Sequence, residues 1–141
     1  MTKEMLRAML LAAALLLALV IAAPAYADEE WDPQDWADED TLELLTQAPG
    51  DEPHWSIVWL VVIEDQLYVR LGNRAAERFQ MSVTNPYLAV KIDDEEFARV
   101  KGVAVPEQVA AIDGAMKEKY WSDWFASLLA HPLYLRLEPA S

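Results

Sequence analysis

The sequence has 141 residues, 24 of them acidic and 11 basic, a formal net charge of −13, 54% hydrophobic residues and no cysteine. That length suits one domain, and the apolar fraction is too high for a disordered chain. Without cysteine there are no disulfides, thiol nucleophile, cysteine zinc site, thiolate-held cluster or lipoprotein-type anchor, and the acidic balance argues against nucleic acid as a partner.

Lys3 and Arg7 precede an unbroken apolar run from Met9 to Ala23, which Pro24 ends; Ala25-Tyr26-Ala27 then supplies the small residues that a signal peptidase requires. The run is shorter than the roughly 20 residues of a spanning helix. Residues 1–27 are therefore predicted to be a signal peptide cleaved after Ala27, leaving no stable membrane anchor and sending the protein to the periplasm or outside the cell. The absence of an Arg-Arg pair points to export as an unfolded chain. Removing 27 of the 141 residues leaves 114, and the loss of two basic residues and one acidic residue takes the charge from −13 to −14.

Residues 28–53 carry 11 acidic residues and no basic one, whereas 54–141 carry 12 acidic and 9 basic. The sequence thus divides into the signal, an acidic arm (28–53) and a main domain (54–141). The arm reads either as a cation site or docking arm, or as a solvated lead-in whose Trp31 and Trp36 pack on the domain. Asp32, Asp35 and Asp38 are three apart with no glycine before Gly50, whereas calcium loops alternate their oxygens and turn at a glycine, so no metal ligands are assigned. Thr41 to Gln47 is predicted as a short helix, with Asp40 as N-cap, Leu42, Leu44 and Leu45 as its apolar positions and Pro49-Gly50 ending it.

From His54 the pattern changes to strands. Trp55 and Ile57 to Ile63 form a near-continuous apolar run rich in β-branched and aromatic residues, the mark of a strand buried on both faces. Glu64-Asp65 makes a two-residue break. Leu67, Val69 and Leu71 then alternate with Tyr68 and Arg70, completing a hairpin. Gly72-Asn73 caps a helix from Arg74 to Met81. After the Asn85-Pro86 turn, Leu88, Val90 and Ile92 mark a third strand, the four acids Asp93 to Glu96 a charged turn, and Phe97 to Val105 a fourth strand with Gly102 as a bulge. Pro106 opens a helix whose stripe is Val109, Ile112, Met116 and Tyr120. Trp121, Trp124, Phe125, Leu128 and Leu129 continue helically as core or as a ligand-stacking wall. His131-Pro132 stops the helix, and Leu133 to Leu137 forms a last strand with Arg136 outward.

This order fits a mainly β, α+β fold: a small antiparallel barrel with flanking helices. The run WLVVIEDQLYVR (59–70) resembles the first barrel hairpin of the pyridoxamine 5'-phosphate oxidase-like, FMN-binding split-barrel superfamily. The run NPYLAVKIDDEEFARVKGVA (85–104) is similar to that superfamily's next hairpin. AMKEKYWSDWF (115–125) and LYLRLEP (133–139) look like an uncharacterised branch of it. The resemblance covers roughly residues 38–139 and lies in order and spacing rather than in one motif.

The resemblance implies a homodimer that holds flavin mononucleotide or a deazaflavin in a groove between subunits, and a flavin-dependent oxidoreductase as the activity. It places phosphate-holding residues at Arg70, Asn73, Arg74 and Arg78, and groove-lining aromatics at Trp59, Tyr68, Trp121 and Trp124. The physical chemistry is compatible, since Arg offers a planar donor fork and a helix start offers free N–H groups. The alternative for these arginines is surface ion pairing with Glu77 or the acidic arm. With only His54 and His131, and with no H-E-x-x-H, G-x-S-x-G or Gly-rich phosphate loop, no other catalytic constellation emerges. The alternative function is a non-enzymatic exported binding or interaction protein on the same barrel, with a small-molecule ligand and no flavin.

Overall fold

The computed structural model describes residues 30–126 and 129–140. The signal-peptide expectation for 1–27, and the start of the acidic arm, lie outside the described residues. Six antiparallel strands run β1 (Thr41–Thr46), β2 (His54–Ile63), β3 (Gln66–Leu71), β4 (Tyr87–Ile92), β5 (Glu95–Ala104) and β6 (Leu133–Pro139). They close into a barrel in the order β1-β2-β3-β6-β5-β4, with β4 returning to β1 through the pairs Glu43–Lys91 and Leu45–Ala89. Helix α1 (Asn73–Met81) joins β3 to β4, and α2 (Val109–Lys119) and the short α3 (Asp123–Ala126) join β5 to β6.

The expected helix at 41–47 is a strand. Thr41-Leu42-Glu43-Leu44-Leu45-Thr46 alternates strictly in burial, with Leu42, Leu44 and Thr46 inward. Its three leucines also satisfy a helical spacing, and the period-2 alternation wins because β2 and β4 both offer it ladder partners. The barrel therefore begins inside the acidic arm, and the hairpin 59–70 is its second one, not its first.

Long β2 pairs with β1 through its first half (His54–Trp59) and with β3 through its second (Leu60–Ile63). The turn between β2 and β3 is the two-residue Glu64-Asp65, both at positive φ (49° and 63°), which matches the twist of the flanking strands. Long β5 serves β4 and β6 in the same way, with an extra residue inserted between Phe97 and Val100. That insertion, rather than Gly102, is the bulge. Gly102 is needed for packing, since a Cβ there would lie 2.9 Å from the Phe79 ring of α1.

The barrel interior is apolar: Leu42, Leu44, Leu60, Leu67, Val69, Leu71, Val90, Ile92, Leu135 and Leu137 are essentially inaccessible. At one end the arm packs against it. Asp32 caps a 3₁₀ turn over Pro33–Trp36, and Trp31, Trp36 and Phe97 meet edge-to-face at 4.9–5.4 Å. The buried Trp36 donates from Nε1 to Glu95 Oε2 at 3.0 Å. Of the two readings of the arm, its tryptophans do pack on the domain.

A second cluster lies outside the barrel wall. Val61 and Tyr68 pack against Ile112, Met116 and Tyr120 from α2, which keeps the expected stripe. Trp59 stacks on Tyr120 with ring centroids 4.5 Å apart, and the Tyr120 hydroxyl lies 2.5 Å from Leu60 O. Lys119 donates to the carbonyls of Leu60 and Glu39, tying α2 to the arm. Beyond Tyr120, of the stretch expected as core or as a ligand-stacking wall, the described residues are helical at 123–126, and Trp121 is 87% and Trp124 57% exposed, so these two are not core.

Candidate functional site

Where β2 and β3 meet the start of α1, the barrel's outer face holds a cleft of about 300 Å³. The outward residues Ile57 and Trp59 of β2 and Arg70 of β3 form one wall. Gly72 and Ala75 of α1 form the second, and Ala126, Leu129 and His131 close the third.

Helix α1 presents its N-terminus here. Gly72 is the N-cap and contributes no side chain, so the first N–H groups of the helix receive no side-chain acceptor. Asn73 and Arg74 are exposed on this first turn, and Arg78 sits one turn later, half-buried. Among the described residues neither arginine forms an ion pair with Glu77 or with the arm, in a chain with 24 acidic residues. An uncapped helix start, its dipole and a guanidinium without an ion pair among the described residues are features that attract an anion.

Arg70 is different. It is buried, and both its terminal nitrogens are engaged: Nη1 donates to Asp113 Oδ1 at 3.0 Å and Nη2 to Asp123 Oδ1 at 2.5 Å. Burial disfavours the charged guanidinium, but the hydrogen bonds and charges of Asp123 and Asp113 outweigh it and raise its pKa. Asp123 is only 1% exposed, and its second oxygen, like Arg70 Nε, has no partner among the described residues. Arg70 thus fastens α2 and α3 to the wall of β3, and it offers no free fork to a phosphate.

Asp113 also accepts from the Tyr134 hydroxyl at 2.6 Å. Burial pushes the Asp113 carboxyl up, but the bonds from Tyr134 and Arg70 together hold it below the usual carboxylate value. Burial first, and then this same bond, push the Tyr134 hydroxyl up to about 12. A carboxyl with a depressed folded-state pKa contributes stability above its unfolded value, about pH 4, and loses it as pH falls through the folded value. Urea midpoints should therefore drop on acidification below about pH 4, and Asp113→Asn should flatten that drop. An unchanged profile in the variant would remove Asp113 from the account.

Of the residues expected at a cofactor groove, Trp59 and Arg70 line the cleft, while Asn73 and Arg74, on the first turn of α1 between the lining residues Gly72 and Ala75, and Arg78 do not. Tyr68 faces α2 and is buried there. Trp121 and Trp124 are not among the residues lining the cleft, although Ala126 and Leu129 are. Sequence reading missed Asp113, Asp123 and Tyr134 as partners of Arg70. An aspartate between two tryptophans in Trp121-Ser122-Asp123-Trp124 was the available signal, since a carboxylate in so apolar a stretch calls for a cation.

The architecture can now be compared with known proteins. No protein-family model matches the sequence, and neither does any curated protein. Solved structures do match. The heme storage protein HutZ from Vibrio cholerae superposes with a TM-score of 0.59 at 20% identity, over 77% of this chain and 87% of that one. The conserved hypothetical protein Rv2991 from Mycobacterium tuberculosis gives 0.55 at 16% identity, over 76% of this chain and 78% of that one. The chain has the split-barrel fold. In this split barrel the closed six-strand ring carries the core, and the cleft lies on its outer wall beside α1.

Proposed function

We propose that the protein is an exported split-barrel protein that binds the phosphate end of a flavin, FMN or a deazaflavin, at the start of α1, and works as a homodimer. The observation that carries this reading is the unpaired Arg74 on an uncapped helix N-terminus beside a cleft walled by Trp59. Arg74, Asn73 and the free N–H groups would hold the phosphate, and Trp59 would flank the ring system. Arg70 would act only indirectly, by fixing the walls. A bound flavin supplies hydride chemistry, while the protein supplies the groove and the orientation. Ile57 and Leu129, which line the cleft, are exposed, as are Trp121 and Trp124, and such apolar residues suit a second copy that would complete the cleft.

His131 supports a second reading, a non-enzymatic ligand-binding protein for heme, the group named for HutZ. His131 lines the cleft, and burial first, then the charge of Arg70, lower its pKa, leaving a neutral imidazole at pH 7.

One titration separates the two readings. FMN, a deazaflavin and hemin are added in turn to wild type, Arg74→Ala and His131→Ala. A flavin protein should bind FMN or deazaflavin and lose about ten- to a hundred-fold in affinity on Arg74→Ala, the loss of a charge-assisted hydrogen bond. A heme protein should bind hemin and lose it on His131→Ala. Uptake of none of the three ends both readings, and equal flavin affinity in Arg74→Ala ends the phosphate assignment.

A further inference from the structure

The barrel carries a second pocket, of about 460 Å³, that shares no lining residue with the cleft. It lies where β1 ends and β4 begins. We propose that it binds a small molecule with an apolar body and a single carboxylate.

The pocket exists because of the β5 bulge. Between Leu88–Val100 and Val90–Phe97, the extra β5 residue places Ala98 and Arg99 opposite Ala89. A bulge bends its strand and re-aims its side chains. Small Ala89 and Ala98 leave the space, and Leu45, Leu88 and Pro53 make the rest of the wall apolar. Such a volume, apolar with a few polar groups, is what a small-molecule site needs.

One polar group is placed for a ligand. The guanidinium of Arg99 lies 4.1 Å above the centre of the Tyr87 ring. It forms no ion pair among the described residues of a chain with 24 acidic side chains. The ring holds the guanidinium by its face and leaves its edge N–H groups for an acceptor. Thr46, in the wall, is 4% exposed, and its Oγ1 has no hydrogen-bond partner among the described residues. That hydroxyl faces inward with Leu42 and Leu44 and has essentially no accessible surface, so the pocket's polar contact to a ligand falls to Arg99.

The mouth is fixed in advance. Ser82 Oγ accepts from Gln47 N at 3.1 Å, Val83 N donates to Gln47 O at 2.8 Å, and Thr84 Oγ1 donates to Tyr87 O at 2.6 Å. A pre-formed rim lowers the ordering cost of binding. One cation on an acidic protein matches one negative charge, which favours a monocarboxylate over a phosphate.

The test is titration of the full chain with 4-phenylbutyrate, read by amide chemical shifts, with 4-phenylbutanol as the uncharged control. The acid should shift amides of 45–47, 84–89 and 98–99. The alcohol should bind about ten-fold more weakly, and Arg99→Gln should weaken the acid by a similar factor. Arg99 is exposed, so this variant keeps the fold, and Ala98→Leu should exclude the probe by filling the space. No shifts at these amides, shifts at the cleft instead, or equal binding of acid and alcohol would overturn the proposal. None of these outcomes depends on whether a flavin binds beside α1.

Discussion

Arg70→Ala should destabilise the domain by about 3–5 kcal/mol, the usual cost of removing one partner from a buried ion pair. The substitution leaves Asp123 buried against an apolar wall with no cation, and Asp113 with only the Tyr134 hydroxyl. The deficit should be largest at neutral pH and shrink on acidification, because protonation removes the unpaired charge. Pairing Arg70→Met with Asp123→Asn should recover much of the loss, since a buried ion pair replaced on both sides costs far less than one broken on one side. Urea unfolding of the single and double variants measures this. If Arg70→Ala costs under about 1 kcal/mol, the pair is a surface-like contact and does not hold α2 and α3. The same data bear on the cofactor question. A residue spent on two internal carboxylates cannot grip a phosphate without releasing them, so its removal should act on stability before it acts on affinity.

Trp36→Ala should cost about 3–5 kcal/mol, in the range for deleting a buried aromatic side chain. Trp36 is buried at the barrel end, packs edge-to-face with Trp31 and Phe97, and donates to Glu95. Trp31→Ala should cost less, because Trp31 is only partly buried and, among the described residues, makes no hydrogen bond comparable to that of Trp36. Thermal unfolding followed by near-ultraviolet circular dichroism checks both, since the stacked tryptophans should contribute to the signal. A loss below about 1 kcal/mol for Trp36→Ala would mean that the arm lies on the barrel without sealing it.

The strands from β2 onward, α1 and α2 were legible because their signals are local. β2 is rich in β-branched and aromatic residues, Glu64-Asp65 sits between two strand-like runs, and Ile112, Met116 and Tyr120 keep a helical spacing. β1 was not legible. Its leucines suit either period, and the choice is made by Val90 and Ser56, its ladder partners far away in the chain. Charge misled as well, since the acidic composition runs on to 53 while the barrel starts at 41. At the candidate site, the place of Trp59 on the outward face of β2 was legible from chain order. The burial of Arg70 was not, because it depends on aspartates 43 and 53 positions away in the chain. Trp121 and Trp124 read as core or as a ligand-stacking wall; their exposure rules out core, and in α3 it is Asp123 rather than Trp124 that is buried.

The return of β4 to β1 has a consequence for association. An open sheet can recruit another molecule by lending its free strand edge, so that backbone hydrogen bonds run on from one chain into the next. This ring leaves no whole strand with a free side, but β2 and β5 are each ladder-paired by halves: among the described residues His54–Trp59 pairs only with β1 and Leu60–Ile63 only with β3. A partner, a second copy included, could therefore pair with backbone only along those half-strand edges, and elsewhere on the ring it must recognise side chains. Away from those edges, selectivity falls on the exposed large apolar residues, which among the described residues are Ile57, Met81, Val83, Trp121, Trp124 and Leu129.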